Sequence, residues 1–147
     1  MTTTRAEVVA EAMTWLDTPW RHQGRLKGVG VDCLGLIIGI GRACAMVPPS
    51  FDITGYGTGA DGTMLPQCEQ YMVRKRLVDR QLGDVLVLHW GAEPHHMGII
   101  VGHPQAEFGF LHALGSSQTK GRVLLHHLDA GTLRRTVACY GLPGVEA

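Results

Sequence analysis

The sequence predicts an α+β architecture: helices in the N-terminal half, one of them packed on an antiparallel sheet of about five strands. Three observations carry this reading. Apolar residues at helical spacing are confined to the first half, and after Gly83-Asp84 they give way to short β-rich runs broken by Gly, Pro and Ser. The chain has 147 residues, 45% hydrophobic and only 18% charged, which suits one domain spanning 1–147 with an ordinary core. Twenty glycines call for tight turns and for at least one place where backbones approach closely.

Thr4-Arg5-Ala6-Glu7 has the form of a capping box, and Val9, Ala12, Met13 and Leu16 follow it at helical spacing as far as Pro19, so residues 5–17 read as an amphipathic helix. Trp20–Val31 holds Arg21, His22, Arg25 and Lys27 with three glycines and reads as an ordered loop. Asp32 is placed to cap a second helix of twelve to fourteen residues that starts at Cys33 and stops before Pro48-Pro49. Gly35 and Gly39 share one of its faces and would let another element come close. Residues 50–63 form a loop. Its Gly57–Gly62 stretch matches G-x-G-x-x-G, but no strand precedes it, so it reads as a turn and not as a nucleotide site. A short helix is expected over 65–77, with Leu65, Cys68 and Met72 inward and Arg74-Lys75-Arg76 on a solvated face. Val85–Leu88, Met97–Val101, Phe108–Ala113, Arg122–Leu128 and Arg134–Tyr140 are the expected strands.

Composition removes several function classes. Thirteen Lys+Arg balance thirteen Asp+Glu, leaving no electrostatic footprint for nucleic acid. The longest apolar run, around Leu34–Ile40, is far too short for membrane insertion, and the N-terminus shows no secretory h-region. Four scattered cysteines without a Cys-x-x-Cys pair point to reduced thiols. No His-Glu-x-x-His or Gly-x-Ser-x-Gly is present, so neither a metal, nor any other cofactor, nor a serine nucleophile is expected.

The remaining chemistry is that of a thiol. A cysteine is a useful nucleophile as thiolate, and its pKa falls below the free value of about 8.5 at a helix N-terminus or beside an imidazolium. Cys33 has the first feature, whereas Cys44, Cys68 and Cys139 read as packing; the spacing alone leaves Cys33 open between nucleophile and packing. Of eight histidines, His96 precedes a buried-strand pattern and His112 alternates with apolar neighbours in the next strand. Adjacent strands would bring the two within ~5–8 Å on a shared face. One could then serve as base and the other as its orienter, or both could be satisfied by backbone partners. His22, His89, His95, His103, His126 and His127 read as loop, edge or solvent residues.

Thr18-Pro19-Trp20, Val31-Asp32-Cys33-Leu34-Gly35-Leu36, Gly83-Asp84-Val85-Leu86, His96-Met97-Gly98-Ile99-Ile100-Val101-Gly102 and Leu111-His112-Ala113 together resemble the NlpC-type cell-wall cysteine peptidases, a papain-like family. Arg21-His22-Gln23-Gly24-Arg25 looks like the small branch of that family associated with phage tails and gene transfer agents. The resemblance implies a Cys-His-His triad in which Cys33 attacks, His96 is the general base and His112 orients it. It implies substrate contacts at Trp20, Gln23 and Asp32, and a peptidoglycan stem peptide as substrate. Trp20 stands where the family often has Tyr, and Leu34 where it often has Ser, so the bond class carries over better than the subsites. The branch further implies synthesis in the cytoplasm without a signal peptide and incorporation at a virion's tail tip. There the chain would contact tail-hub or tail-tip proteins and act at the cell wall or periplasm. The competing readings are a structural tail-tip protein that keeps the fold with little or no activity, and a thiol acyltransferase or lipid-modifying relative.

Overall fold

Local chemistry starts the first helix where the capping box places it. In the computed structural model, which describes residues 3–58, 62–90, 93–115 and 120–146, Thr4 accepts a hydrogen bond from the Glu7 backbone N–H. The Glu7 carboxylate accepts one in return from Thr4 N–H, both at 3.1 Å. Helix α1 (Arg5–Met13) is shorter than expected, because its last turn tightens into Trp15→Ala12 and Leu16→Met13 bonds and the chain then reverses at Asp17, φ 68°. Helix α2 (Cys33–Ala43) is buried along most of its length. The Gly35–Gly39 face does admit close neighbours. A Cβ at Gly35 would strike the Gly24 carbonyl, and one at Gly39 the Trp15 ring.

Helix α3 (Met64–Tyr71) ends earlier than the sequence pattern suggests. Met72 is already extended, and Val73–Lys75 pair as a strand, β4, with a later edge. The ladder available there outweighs the local helical spacing, so Arg74 and Lys75 leave the helix. The G-x-G-x-x-G stretch lies partly outside the described residues.

Before the main sheet come three short strands, β1 (Thr3–Thr4), β2 (Arg25–Leu26) and β3 (Gly30–Val31). The later strands are β5 (Val85–Trp90), β6 (Glu93–His103), β7 (Ala106–Leu114), β8 (Arg122–His127), β9 (Thr136–Gly141) and β10 (Val145–Glu146). The main sheet has six strands in the order β4-β9-β5-β6-β7-β8, every neighbouring pair antiparallel, so β4 is the strand beyond the five expected. The expected strand over 134–140 begins instead with helix α4 (Ala130–Arg135), because Asp129 caps it by accepting from Thr132 N–H at 2.8 Å.

Alternation along the strands gives the sheet two apolar faces. Val85, Val87, Met97, Ile99, Val101, Leu111 and Ala113 pack with Val8, Ala12, Leu36, Ile37 and Ile40 of α1 and α2. Leu86, Leu88, Ile100 and Phe110 form the other core with Leu128 and Cys139. Asp84, fully buried at the head of β5, is paired by Arg5 of α1 and Lys75 of β4. Those ion pairs join the first helix and the added edge strand to the sheet. No helix among the described residues is long and apolar enough to cross a membrane.

Candidate active site

Asp32 sets the position of Cys33. Its Oδ1 accepts from Gly35 N–H at 2.8 Å, capping α2. The same carboxylate accepts from Gln23 N–H at 2.8 Å, Arg25 Nη1 at 3.1 Å and the Tyr56 hydroxyl at 2.6 Å. Arg25 extends the knot, donating to Asp52 at 2.8 Å, the Ile53 carbonyl at 2.9 Å and Tyr56 Oη at 2.7 Å. Burial and the bond to Asp32 raise the Tyr56 pKa, so this hydroxyl stays protonated.

The first turn of α2, the 20–31 loop and the 51–58 segment are therefore held by one carboxylate whose side chain is only 6% exposed. Gln23 is held at φ 57°, a left-handed conformation uncommon for a residue with a Cβ, and its side-chain amide donates to the Tyr56 carbonyl. Gln23 is not among the residues that line the cleft. Its bonds brace the loop.

The cleft is lined by Trp20, His22, Asp32, Cys33 and Tyr56 together with His95, His96, Met97, Ala113 and Gly115. Sheet register explains the opening. Strands β6 and β7 pair from His103–Ala106 to Ile99–Leu111, and two residues on in the same register Met97 and Ala113 lie beyond that ladder and line the cleft. The Met97 N–H donates toward the Cys33 sulfur, as do the Leu34 and Cys33 N–H groups at the start of α2. The thiol thus sits at the splayed end of β6 and β7, one residue from His96.

His96 and His112 meet across that end of the sheet. His96 Nε2 lies 2.7 Å from His112 Nδ1, ring centroids 5.0 Å apart, with the residues 7% and 4% exposed. Burial, then the neighbouring His112 and His95, push the His96 imidazole down from 6.5 to about 3. Burial and His126 push His112 down to about 4. The thiol moves the other way: desolvation and the Asp32 carboxylate push Cys33 up to about 12, against the pull of the three backbone N–H groups. The expectation of a thiol more acidic than a free cysteine is therefore corrected. The helix start favours the thiolate, but enclosure and an adjacent anion outweigh it.

Three further residues depart from the sequence reading. His126 was expected at the surface without a site role, yet its Nδ1 lies 3.0 Å from His112 Nε2. His95 and His22 line the cleft, and His22 stands edge-on to the Tyr56 ring at 5.4 Å. Arg25 and Tyr56 carry no spacing signal, since their meeting depends on how two loops fold over one carboxylate. Cys68 and Cys139 are buried packing residues, and Cys44 lies half-buried just past the end of α2. The ring nitrogens of the histidine row stand at hydrogen-bonding distance from one another, and no group of three His, Cys, Asp or Glu among the described residues could hold a metal ion.

The fold recurs in solved structures. The NlpC/p60 domain of the peptidoglycan hydrolase SagA superposes with a TM-score of 0.64 at 19% identity, over 95% of this chain and 100% of that one. The fold is that of the NlpC/p60 domain. An NlpC/P60 family protein from Bacillus cereus gives 0.65 at 17% identity, and a lipoprotein-like NLP/P60 family protein from Staphylococcus aureus gives 0.60 at 14%. This chain covers 95% and 99% of its own length in those two comparisons but only 40% and 44% of the other chains. No protein-family model and no curated protein matches the sequence.

Proposed function

We propose that this NlpC/p60-fold chain is a cysteine peptidase that cleaves peptide bonds in peptidoglycan stem peptides and is carried at the tail tip of a phage-type particle. The observation that carries the enzymatic part is the placement of Cys33: first residue of a capped helix, its sulfur met by Met97 N–H, in one cleft with His96, whose ring is hydrogen-bonded to His112. The tail-tip part rests on the resemblance of Arg21–Arg25 to the phage-tail branch. Zero formal net charge fits it, since nothing long-ranged would draw a free domain to an anionic wall. Placement on a particle would supply the effective concentration instead.

In the resting site both partners are neutral, a protonated thiol and an unprotonated imidazole. Proton transfer therefore accompanies attack. The sulfur bonds to the carbonyl carbon as its proton passes to His96 Nδ1, the ring nitrogen opposite the one that faces His112. The oxyanion lies at the start of α2, where the Cys33 N–H can donate to it. His96 then protonates the leaving amine, and a water activated by the same ring releases the acyl group and restores the thiol. His112 holds the ring in place. Trp20 and His22 remain as cleft-wall contacts for the substrate, while Asp32 and Gln23 act by holding that wall.

The test is to incubate purified peptidoglycan with wild type and with Cys33→Ala and to identify new termini by mass spectrometry. New peptide termini with wild type alone are expected. Their absence would favour the structural tail-tip reading.

A further inference from the structure

The histidine pair continues into a third ring. β7 and β8 are registered with Phe110 opposite His126 and His112 opposite Leu124, which puts His126 on the same sheet face as His112, diagonally across the ladder. His112 Nε2 and His126 Nδ1 are 3.0 Å apart, with ring centroids at 4.7 Å and planes inclined by 69°. His96 and His112 are buried, whereas His126 is exposed. Three imidazoles thus form a continuous row from the wall of the cleft to solvent.

We propose that His126 is a positioning residue for the nucleophile: it fixes the tautomers of His112 and His96, and it carries at the protein surface the positive charge created when the Cys33 thiol gives up its proton. The proposal rests on the cysteine-peptidase reading. Each link in the row needs one nitrogen that bears hydrogen and one that does not. For His96 Nδ1 to accept a proton, the hydrogen of that ring must be on Nε2, donated to His112 Nδ1. His112 must then carry its own hydrogen on Nε2, donated to His126 Nδ1. His126 Nδ1 accepts when that exposed ring keeps its own hydrogen on Nε2, in water, and the tautomer of His126 thereby selects this arrangement over its inverse, in which His96 Nδ1 is already protonated and useless as a base.

The same row moves charge with atoms balanced. The S–H bond of Cys33 breaks as an N–H bond forms at His96 Nδ1. The Nε2 proton of His96 passes to His112 Nδ1, and that of His112 passes to His126 Nδ1. As the sulfur bonds to the carbonyl carbon, the row is left with two neutral imidazoles and one imidazolium on His126, in water. Reversal delivers the proton back to His96 for the leaving amine. Burial opposes a cation on either inner ring, so the exposed end is where the charge is best solvated. Across the ladder the titratable group facing His126 is His112, while the adjacent His127 meets His103.

The decisive measurement is the rate of Cys33 alkylation by iodoacetamide at neutral pH, read by peptide mapping in wild type, His126→Ala, His126→Gln and a His127→Ala control. Glutamine offers an oxygen to the His112 N–H but cannot take a proton, so it keeps the tautomers and loses the charge terminus. Both His126 variants should alkylate at Cys33 at least about tenfold more slowly. Added imidazole should restore the alanine variant in part and the glutamine variant not at all, and His127→Ala should behave as wild type. Imidazole ¹⁵N spectra should show His112 protonated on Nε2 in wild type and His126→Gln and mixed in His126→Ala. Wild-type alkylation rates in both variants, or His112 protonated on Nδ1 in wild type, would overturn the proposal. Alkylation needs no peptidoglycan: a wild type inert to peptidoglycan but showing these rate losses would count against the substrate and not against His126.

Discussion

Lowering the pH from 7.5 to 5.0 should cost this protein about 4 kcal/mol of folding stability through two histidines alone. Burial holds His96 at about 3 and His112 at about 4, against 6.5 in the unfolded chain. A histidine with a depressed folded value contributes stability that is complete above pH 6.5. That stability drains as the pH falls toward the folded value, because the unfolded chain takes up the proton first. At pH 5.0 the unfolded value has been passed by about 1.5 units and neither folded value has been reached, so each ring has lost about 2 kcal/mol at 1.36 kcal/mol per unit. Exposed carboxylates do not blur the window. Asp79, held low by its bond from Arg76, and Asp129, held low by Thr132, lose their contributions only below their ordinary value of 3.8. Urea unfolding followed by tryptophan fluorescence at pH 7.5, 6.5 and 5.0 measures the loss. His112→Gln should retain about half of the difference and the His96→Gln/His112→Gln double variant almost none, whatever their absolute stabilities. A wild type that loses less than about 1 kcal/mol over this range, or a double variant with the full wild-type difference, would refute a buried neutral pair.

Arg25→Ala should destabilise the fold by about 3–5 kcal/mol, since it leaves the buried Asp32 carboxylate without its cation. Arg25→Lys should recover little, because an ammonium cannot span Asp32, Asp52, Ile53 and Tyr56 as the guanidinium does; a lysine variant with wild-type urea midpoint would contradict this. Gly39→Ala should cost about 1–3 kcal/mol by displacing the Trp15 ring, seen as a lower urea midpoint and altered near-ultraviolet dichroism, and an unchanged midpoint would mean the ring yields freely. Particles washed in high salt should retain this chain at fixed stoichiometry to their tail proteins. Its absence there, with active monomer in the lysate, would make it a free enzyme.

The parts of this molecule legible in its sequence are those decided within a few residues. The Thr4–Glu7 box, the Asp32 cap and the Gly35–Gly39 face are local signals, and the structure bears each of them out. The nearness of His96 and His112 was readable because adjacent strands of alternating pattern leave few ways to pair. What could not be read depends on register or on loops. Strand β4 exists only because β9, far along the chain, offers Val73–Lys75 an edge. His126 joins the row only in the register set between β7 and β8, where a shift of one residue would turn it to the opposite face. The high thiol pKa follows from enclosure by two distant segments and from a cap residue that also carries charge.

The splayed end of β6 and β7 also bears on how the polypeptide comes into being. Cys33 leaves the ribosome well before any of the three histidines, and its sulfur has no Met97 N–H to meet until β6 has paired with β5. Contacts this distant in sequence close late in folding. A nascent or half-folded chain therefore carries an isolated thiol with no base beside it. If the chain cuts peptide bonds as proposed, that competence arrives only with the finished sheet, and a half-folded chain has no assembled site with which to attack itself or its neighbours.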